Sequence, residues 1–107
     1  MTITQSILNE ATRRLIEQFD PLRIIIFGSH ARGTADDRSD VDLIVLCDGF
    51  TDRWQIAMEM NRSLWGLKLP CDILVFTPQE YEKEQQYCGT VARYAAREGK
   101  VLYERAA

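Results

Sequence analysis

Apolar and polar positions along the chain switch between a helical period and continuous runs, and the switches outline the elements. Ile7, Leu8, Ala11, Leu15, Ile16 and Phe19 recur at helical spacing, which predicts a helix from about Thr4 to Phe19 with one apolar face. Asp20-Pro21 ends it, because proline pushes the preceding residue out of the helical region. Leu22 to Phe27 is apolar except for Arg23, the pattern of a strand covered on both faces. Gly28-Ser29 breaks that run, and His30 to Gly33 has room for one helical turn. Polar Thr34 to Ser39 reads as a loop, and Val41 to Cys47 as a second buried strand.

Asp48-Gly49 turns the chain, and Asp52 is placed to cap a helix reaching Trp65 or Gly66. Pro70 marks the next boundary, and Cys71 to Phe76 predicts a third strand. Thr77 or Pro78 opens another helix, proline being tolerated at the first helical position. Glu80 to Gln86 is helical, Gly89 interrupts, and Thr90 to Glu98 resumes the helix up to a Gly99 cap. Val101 to Glu104 is a short closing strand. The order predicts an α/β (α+β) fold, a small mixed sheet flanked by helices, built as one layered domain over residues 1–107. Within the helix from Asp52, Ile56, Met60, Leu64 and Leu67 form one stripe, while Trp54, Met58 and Trp65 lie off it. That second set is either an interface or additional core in a small protein.

Composition narrows the function classes. Net charge is −3, which disfavours a long sequence-independent nucleic-acid track and suits a small, metal-masked phosphate substrate. No apolar run approaches the roughly 20 residues that span a bilayer. The N-terminus has no basic segment followed by an apolar core, so a cytoplasmic location is expected. The three cysteines, Cys47, Cys71 and Cys88, lack zinc-ligand spacing, and His30 is the only histidine. A zinc site or a Ser-His-Asp hydrolase is therefore disfavoured.

The chemistry concentrates in two short segments. In Phe27-Gly28-Ser29-His30-Ala31-Arg32-Gly33, a glycine at a strand end permits a tight turn and close backbone approach. Ser29 follows with a hydroxyl and backbone N–H groups suited to phosphate oxygens. No Gly-Lys-Ser/Thr triplet exists, so this is not a P-loop. In Ser39-Asp40-Val41-Asp42-Leu43, two carboxylates two residues apart project to one side of a strand. They suit hard divalent ions, most plausibly Mg²⁺. Asp72 opens the third strand and is the candidate third carboxylate, provided strands two and three are neighbours. Three carboxylates at one sheet edge suit a site of two Mg²⁺ ions, with Asp72 activating an acceptor hydroxyl. Arg32 and Arg38 either neutralise phosphate or are solvated loop charges.

Gly28-Ser29, ten intervening residues and then Asp40-Val41-Asp42 resembles the signature of the DNA-polymerase-β-like nucleotidyltransferases, especially the minimal nucleotidyltransferase (MNT) family. The resemblance covers Leu22 to Phe76. It implies that Gly28-Ser29 holds the triphosphate of ATP, that Asp40 and Asp42 bind Mg²⁺, and that Asp72 completes the catalytic site. Little chain is left over for an acceptor-binding region, so the acceptor is expected to dock from outside. Minimal nucleotidyltransferases pair with all-helical HEPN ribonuclease toxins. The resemblance thus implies an antitoxin of a type VII-like pair that transfers AMP from ATP to a toxin tyrosine, with no membrane and no direct nucleic-acid contact. The alternatives are an antibiotic-type, small-molecule nucleotidyltransferase and a non-catalytic binding module.

Overall fold

The computed structural model describes residues 5–28 and 40–106. Their elements are α1 (Gln5–Phe19), β1 (Arg23–Phe27), β2 (Val41–Leu46), α2 (Arg53–Ser63), β3 (Cys71–Phe76), α3 (Pro78–Glu84), α4 (Val91–Glu98) and β4 (Lys100–Glu104). The strands form one sheet in the order β3-β2-β1-β4. β1 is antiparallel to both β2 and β4, whereas β2 and β3 are parallel. A parallel pair cannot be joined by a hairpin, and α2 supplies the crossover.

The pleat divides the apolar side chains between two faces. Ile24, Ile26, Val41, Leu43, Val45, Ile73 and Val75 pack with Ala11 and Leu15 of α1 and with Met60 and Leu64 on and just after α2. Ile25, Ile44 and Leu46 pack instead with Tyr81 of α3 and Ala92 and Ala95 of α4. The sheet is thus sandwiched between two helical layers. Double coverage explains why β1 and β2 read as continuous apolar runs rather than alternating ones. Among the described residues no helix is long and apolar enough to cross a membrane.

Local signals set the helix ends. The Asp52 carboxylate accepts from the N–H groups of Trp54 and Gln55 at 3.0 and 3.2 Å. The inward stripe of α2 is as expected, with Met60 and Leu64 buried. The helix stops at Ser63, short of Trp65, because the N–H groups of Leu64 and Trp65 bond to carbonyls three residues back and tighten the chain into a turn. Trp54, Met58 and Trp65 are 77%, 58% and 86% exposed, so the second face of α2 is not core. Gly99, at the end of α4, has an ordinary φ of −82°. Its role is close approach: a Cβ there would stand 2.5 Å from the Ala95 carbonyl oxygen and 3.0 Å from that of Ile26.

Thr77 forms a capping box on α3. Its hydroxyl accepts from the Glu80 N–H at 3.1 Å, and Glu80 accepts from the Thr77 N–H at 2.9 Å. Glu80 also receives a hydrogen bond from Arg53, whose guanidinium lies 5.8 Å from the Phe50 and Phe76 ring centroids. Thr77→Ala is expected to lower stability by about 1 kcal/mol in urea unfolding at neutral pH. The Arg53 hydrogen bond, then that of the Thr77 backbone, holds the Glu80 carboxyl below its usual value of 4.5. A carboxyl depressed in the folded state contributes stability above its unfolded value and loses it as pH falls through the folded one. Glu80→Gln should therefore flatten the acid side of the stability–pH profile, read as thermal midpoints between neutrality and strong acid.

Candidate functional site

β1 runs towards the end of the sheet where β2 and β3 begin. Their pairing sets Phe27 opposite Asp42 and, on the other side, Asp42 beside Asp72. Asp42 follows the pleat of Ile44 and Leu46, and Asp72 that of Leu74 and Phe76, so both point to the layer of α3 and α4. Asp40 directly precedes β2 and is exposed, as is Asp72, whereas Asp42 is half-buried. The condition set by the sequence is met: strands two and three are neighbours, and all three aspartates lie at one edge.

The Cys71 thiol registers this crowding. It is pushed up to about 12, first by burial and then by the negative fields of Asp72, Asp42 and Asp40. Like charges on adjacent strands repel, and a cation between them relieves that repulsion. The donors are all carboxylate oxygens, a set that fits a hard divalent cation such as Mg²⁺. Among the described residues no three histidine, cysteine, aspartate or glutamate side chains converge as a ready-made metal site. Magnesium tolerates this, because it keeps waters and takes substrate phosphates as further ligands.

Gly28 closes the site from the β1 side. Its φ of +79° is a left-handed conformation. A Cβ there would meet the Asp42 Oδ2 at 2.5 Å. The sequence assigns Gly28 to close approach by phosphate, and its close neighbour here is the Asp42 carboxylate. The other predicted triphosphate contacts, Ser29, Arg32 and Arg38, and the helical turn from His30 to Gly33, lie outside the described residues.

Sequence reasoning missed Tyr94. Its ring stands edge-on to Phe27, with centroids 6.2 Å apart and planes at 75°. Phe27 is the cross-strand partner of Asp42, so Tyr94 packs on the residue that lies beside that aspartate. With Thr90, Arg93 and Arg97 it lines a pocket on α4. The only available signal was an aromatic between Ala92 and Ala95, the two residues that α4 buries. A cavity of about 590 Å³ opens at the opposite end of the strands beside Leu22, Leu46 and Arg105, away from the carboxylates.

Comparison with known proteins places this geometry. A Methanocaldococcus jannaschii protein provisionally named protein adenylyltransferase MJ1305 is 44% identical over 50 residues. That match spans 45% of this chain and 34% of the relative, about a third of its length. A solved structure from Sulfolobus solfataricus, provisionally described as a nucleotidyltransferase, superposes with a TM-score of 0.64 at 23% identity, covering 94% of this chain and 79% of that one. A chain in the Shewanella oneidensis complex of a tri-AMPylated HEPN toxin with its MNT antitoxin matches with a TM-score of 0.57 at 20% identity, covering 96% and 74%. These likenesses show the nucleotidyltransferase fold. The polymerase beta nucleotidyltransferase profile matches residues 9–107, nearly the whole sequence, and the chain belongs to that family.

Proposed function

We propose that residues 1–107 act as one minimal nucleotidyltransferase domain that moves AMP from ATP to a protein hydroxyl. The acceptor in this reading is a tyrosine of an all-helical HEPN ribonuclease toxin, which makes the chain the antitoxin of a type VII-like pair. The observation that carries the chemistry is the register of Asp42 beside Asp72, with Gly28 packed on the Asp42 carboxylate. A protein acceptor is suggested by the MJ1305 relative, and a toxin as partner by the toxin–antitoxin complexes among the structural neighbours.

Asp40, Asp42 and Asp72 would hold Mg²⁺, two ions in the full site. Bound there, the metal supplies charge neutralisation at the phosphates and at the attacking and leaving oxygens. The protein's own share is positioning. Gly28 fixes the Asp42 carboxylate, and Ser29, Arg32 and Arg38 contact the triphosphate. Asp72, exposed on the outer strand, meets an acceptor arriving from solvent and takes its hydroxyl proton. The acceptor oxygen then bonds to the α-phosphorus as the bond to the pyrophosphate oxygen breaks, and pyrophosphate leaves.

The test is transfer of label from ATP labelled at the α-phosphate, in the presence of Mg²⁺, onto a HEPN-family toxin. Label on a toxin tyrosine, lost in Asp40→Asn/Asp42→Asn, is expected. Neutralisation of the toxin by that double variant, without label, would show a binding module instead. Label on an aminoglycoside with none on protein would show a small-molecule enzyme.

A further inference from the structure

The side of the sheet to which Asp42 and Asp72 point is covered by α3 and α4. On α4 it carries a pocket of about 450 Å³. Small-molecule sites occupy roughly 300–1,000 Å³. Thr90, Arg93, Tyr94 and Arg97 line the pocket, spaced so that they share one face of the helix and its cap. Ala92 and Ala95 hold the other face against the sheet. Glu98 is the one carboxylate of the lining. Among the described residues neither Arg93 nor Arg97 forms an ion pair, so the pocket is cationic around an aromatic ring.

The connection from α4 to β4 places the pocket. The first residue of β4, Lys100, pairs with Ile26, next to Phe27, so α4 finishes at the carboxylate end of the sheet. Phe27 stands opposite Asp42, and directly opposed residues have Cβ atoms roughly 4.5–5.5 Å apart. Tyr94 is one ring contact further, with centroids 6.2 Å apart. Two side-chain contacts thus separate Asp42 from the pocket, the reach of a ribose with its base. Phe27 covers only part of the Tyr94 side chain, and the residue stays 38% exposed. Arg93 supplies an independent observation. Its Nη1 donates to the Gln85 carbonyl at 3.4 Å, while its Nε is buried with no partner among the described residues. A buried N–H left unpaired is destabilising, and an acceptor atom on a ligand removes that penalty. We infer that this pocket takes the nucleoside of the nucleotide substrate, with the base stacked on Tyr94 and an acceptor atom of base or ribose on the Arg93 Nε–H. The inference rests on the reading above that puts metal and phosphates at Gly28 and Asp42.

The order of groups across the sheet selects this ligand. Asp42 has Asp72 on one side, on β3, and Phe27 on the other, on β1. The acceptor is assigned to the Asp72 side. In an in-line displacement the acceptor oxygen and the leaving pyrophosphate lie on opposite sides of the α-phosphorus. The nucleoside is a further substituent of that phosphorus, and neither of the other two fixes its direction. The pocket matches it chemically. Pyrophosphate has no surface for an aromatic ring, whereas every base has a π-face that stacks on one. An aromatic side chain of the acceptor could also stack on Tyr94, so the measurement has to include that outcome.

Titration calorimetry in Mg²⁺ reads the binding with two probes. One is an ATP analogue that cannot be cleaved between its α- and β-phosphates, and the other is inorganic tripolyphosphate, which has no nucleoside. Tyr94→Ala should weaken the analogue about 10-fold or more and leave tripolyphosphate unchanged. Tyr94→Phe, which keeps the ring, should bind the analogue as the wild type does. Arg93→Gln leaves the Phe27 contact alone, and it too should weaken the analogue several-fold and spare tripolyphosphate. It decides the question should Tyr94→Ala fail to fold. Equal loss of both probes in Tyr94→Ala would make Tyr94 a prop for Phe27 and Asp42 and overturn the inference. Unchanged binding of the analogue in both Tyr94→Ala and Arg93→Gln would overturn it as well, and a raised KM for a HEPN-family toxin in those variants would then give the pocket to the acceptor. The loss confined to the analogue supports the nucleoside site whether or not the toxin is labelled, so a wild type that binds the analogue and labels no protein would remove the protein-acceptor reading alone.

Discussion

Gly28→Ala is expected to reduce nucleotide transfer at least about 100-fold and to destabilise the fold at the same time. Two independent penalties meet at this residue. Its φ of +79° is strained for any residue with a Cβ, by roughly 1–2 kcal/mol. The new methyl would also sit 2.5 Å from the Asp42 Oδ2, well inside contact distance. One of the two must move. If the carboxylate moves, a displacement of about 1 Å in a positioned catalytic group is enough for a 100-fold loss. Transfer assays and urea unfolding on the same preparation separate the effects. A deficit in stability alone, with full transfer, would mean that Asp42 is not the group that needs this glycine.

Asp42→Asn should cost more, on the order of 1,000-fold in kcat, comparable with removing a principal electrostatic contact to a transition state. Asparagine has nearly the same shape, so the fit beneath Gly28 is preserved and the change is one of charge. The same substitution makes a second prediction that does not depend on turnover. Adding Mg²⁺ with a non-hydrolysable ATP analogue should raise the melting temperature of the wild type by mass action. That rise should shrink or vanish in Asp42→Asn and in Asp72→Asn, because each removes one of two carboxylates that face each other across the β2–β3 register. Differential scanning fluorimetry with and without EDTA is sufficient. An equal rise in all three proteins would place the metal elsewhere.

Much of this was written in local patterns. The unbroken apolar runs from Leu22 to Phe27 and from Val41 to Cys47 announced strands buried on both faces, which the two helical layers supply. Asp52 and Thr77 cap the helices they were expected to start. The aspartate pair and its glycine were visible because strand-end chemistry depends on residue type and spacing alone. Strand order was not visible, since no local signal says that β3 adds parallel to β2 while β1 adds antiparallel to its other edge. The convergence of Asp72 with Asp42 therefore remained conditional until the sheet was known. The second face of α2 was ambiguous for a similar reason. A stripe of aromatics has the same sequence whether another layer covers it or water does, and only the exposure of Trp54 and Trp65 decides. Tyr94 escaped because its importance comes from a ring contact with Phe27 in a distant segment.

The position of β3 at the rim of the sheet has a consequence for how the molecule holds together. Asp72 is carried on an outer strand with one neighbour, whereas Asp42 lies on an inner strand with two. Segments of a fold can open locally at lower free energy than the whole, and a strand with one neighbour is held by one ladder of backbone hydrogen bonds instead of two. A nucleotide and metal held jointly by these two aspartates would tie the rim to the interior of the sheet. In the proposed arrangement the substrate would also be a clasp, and the molecule would be most tightly closed along that rim while ATP is bound and loosest once the nucleotide has left.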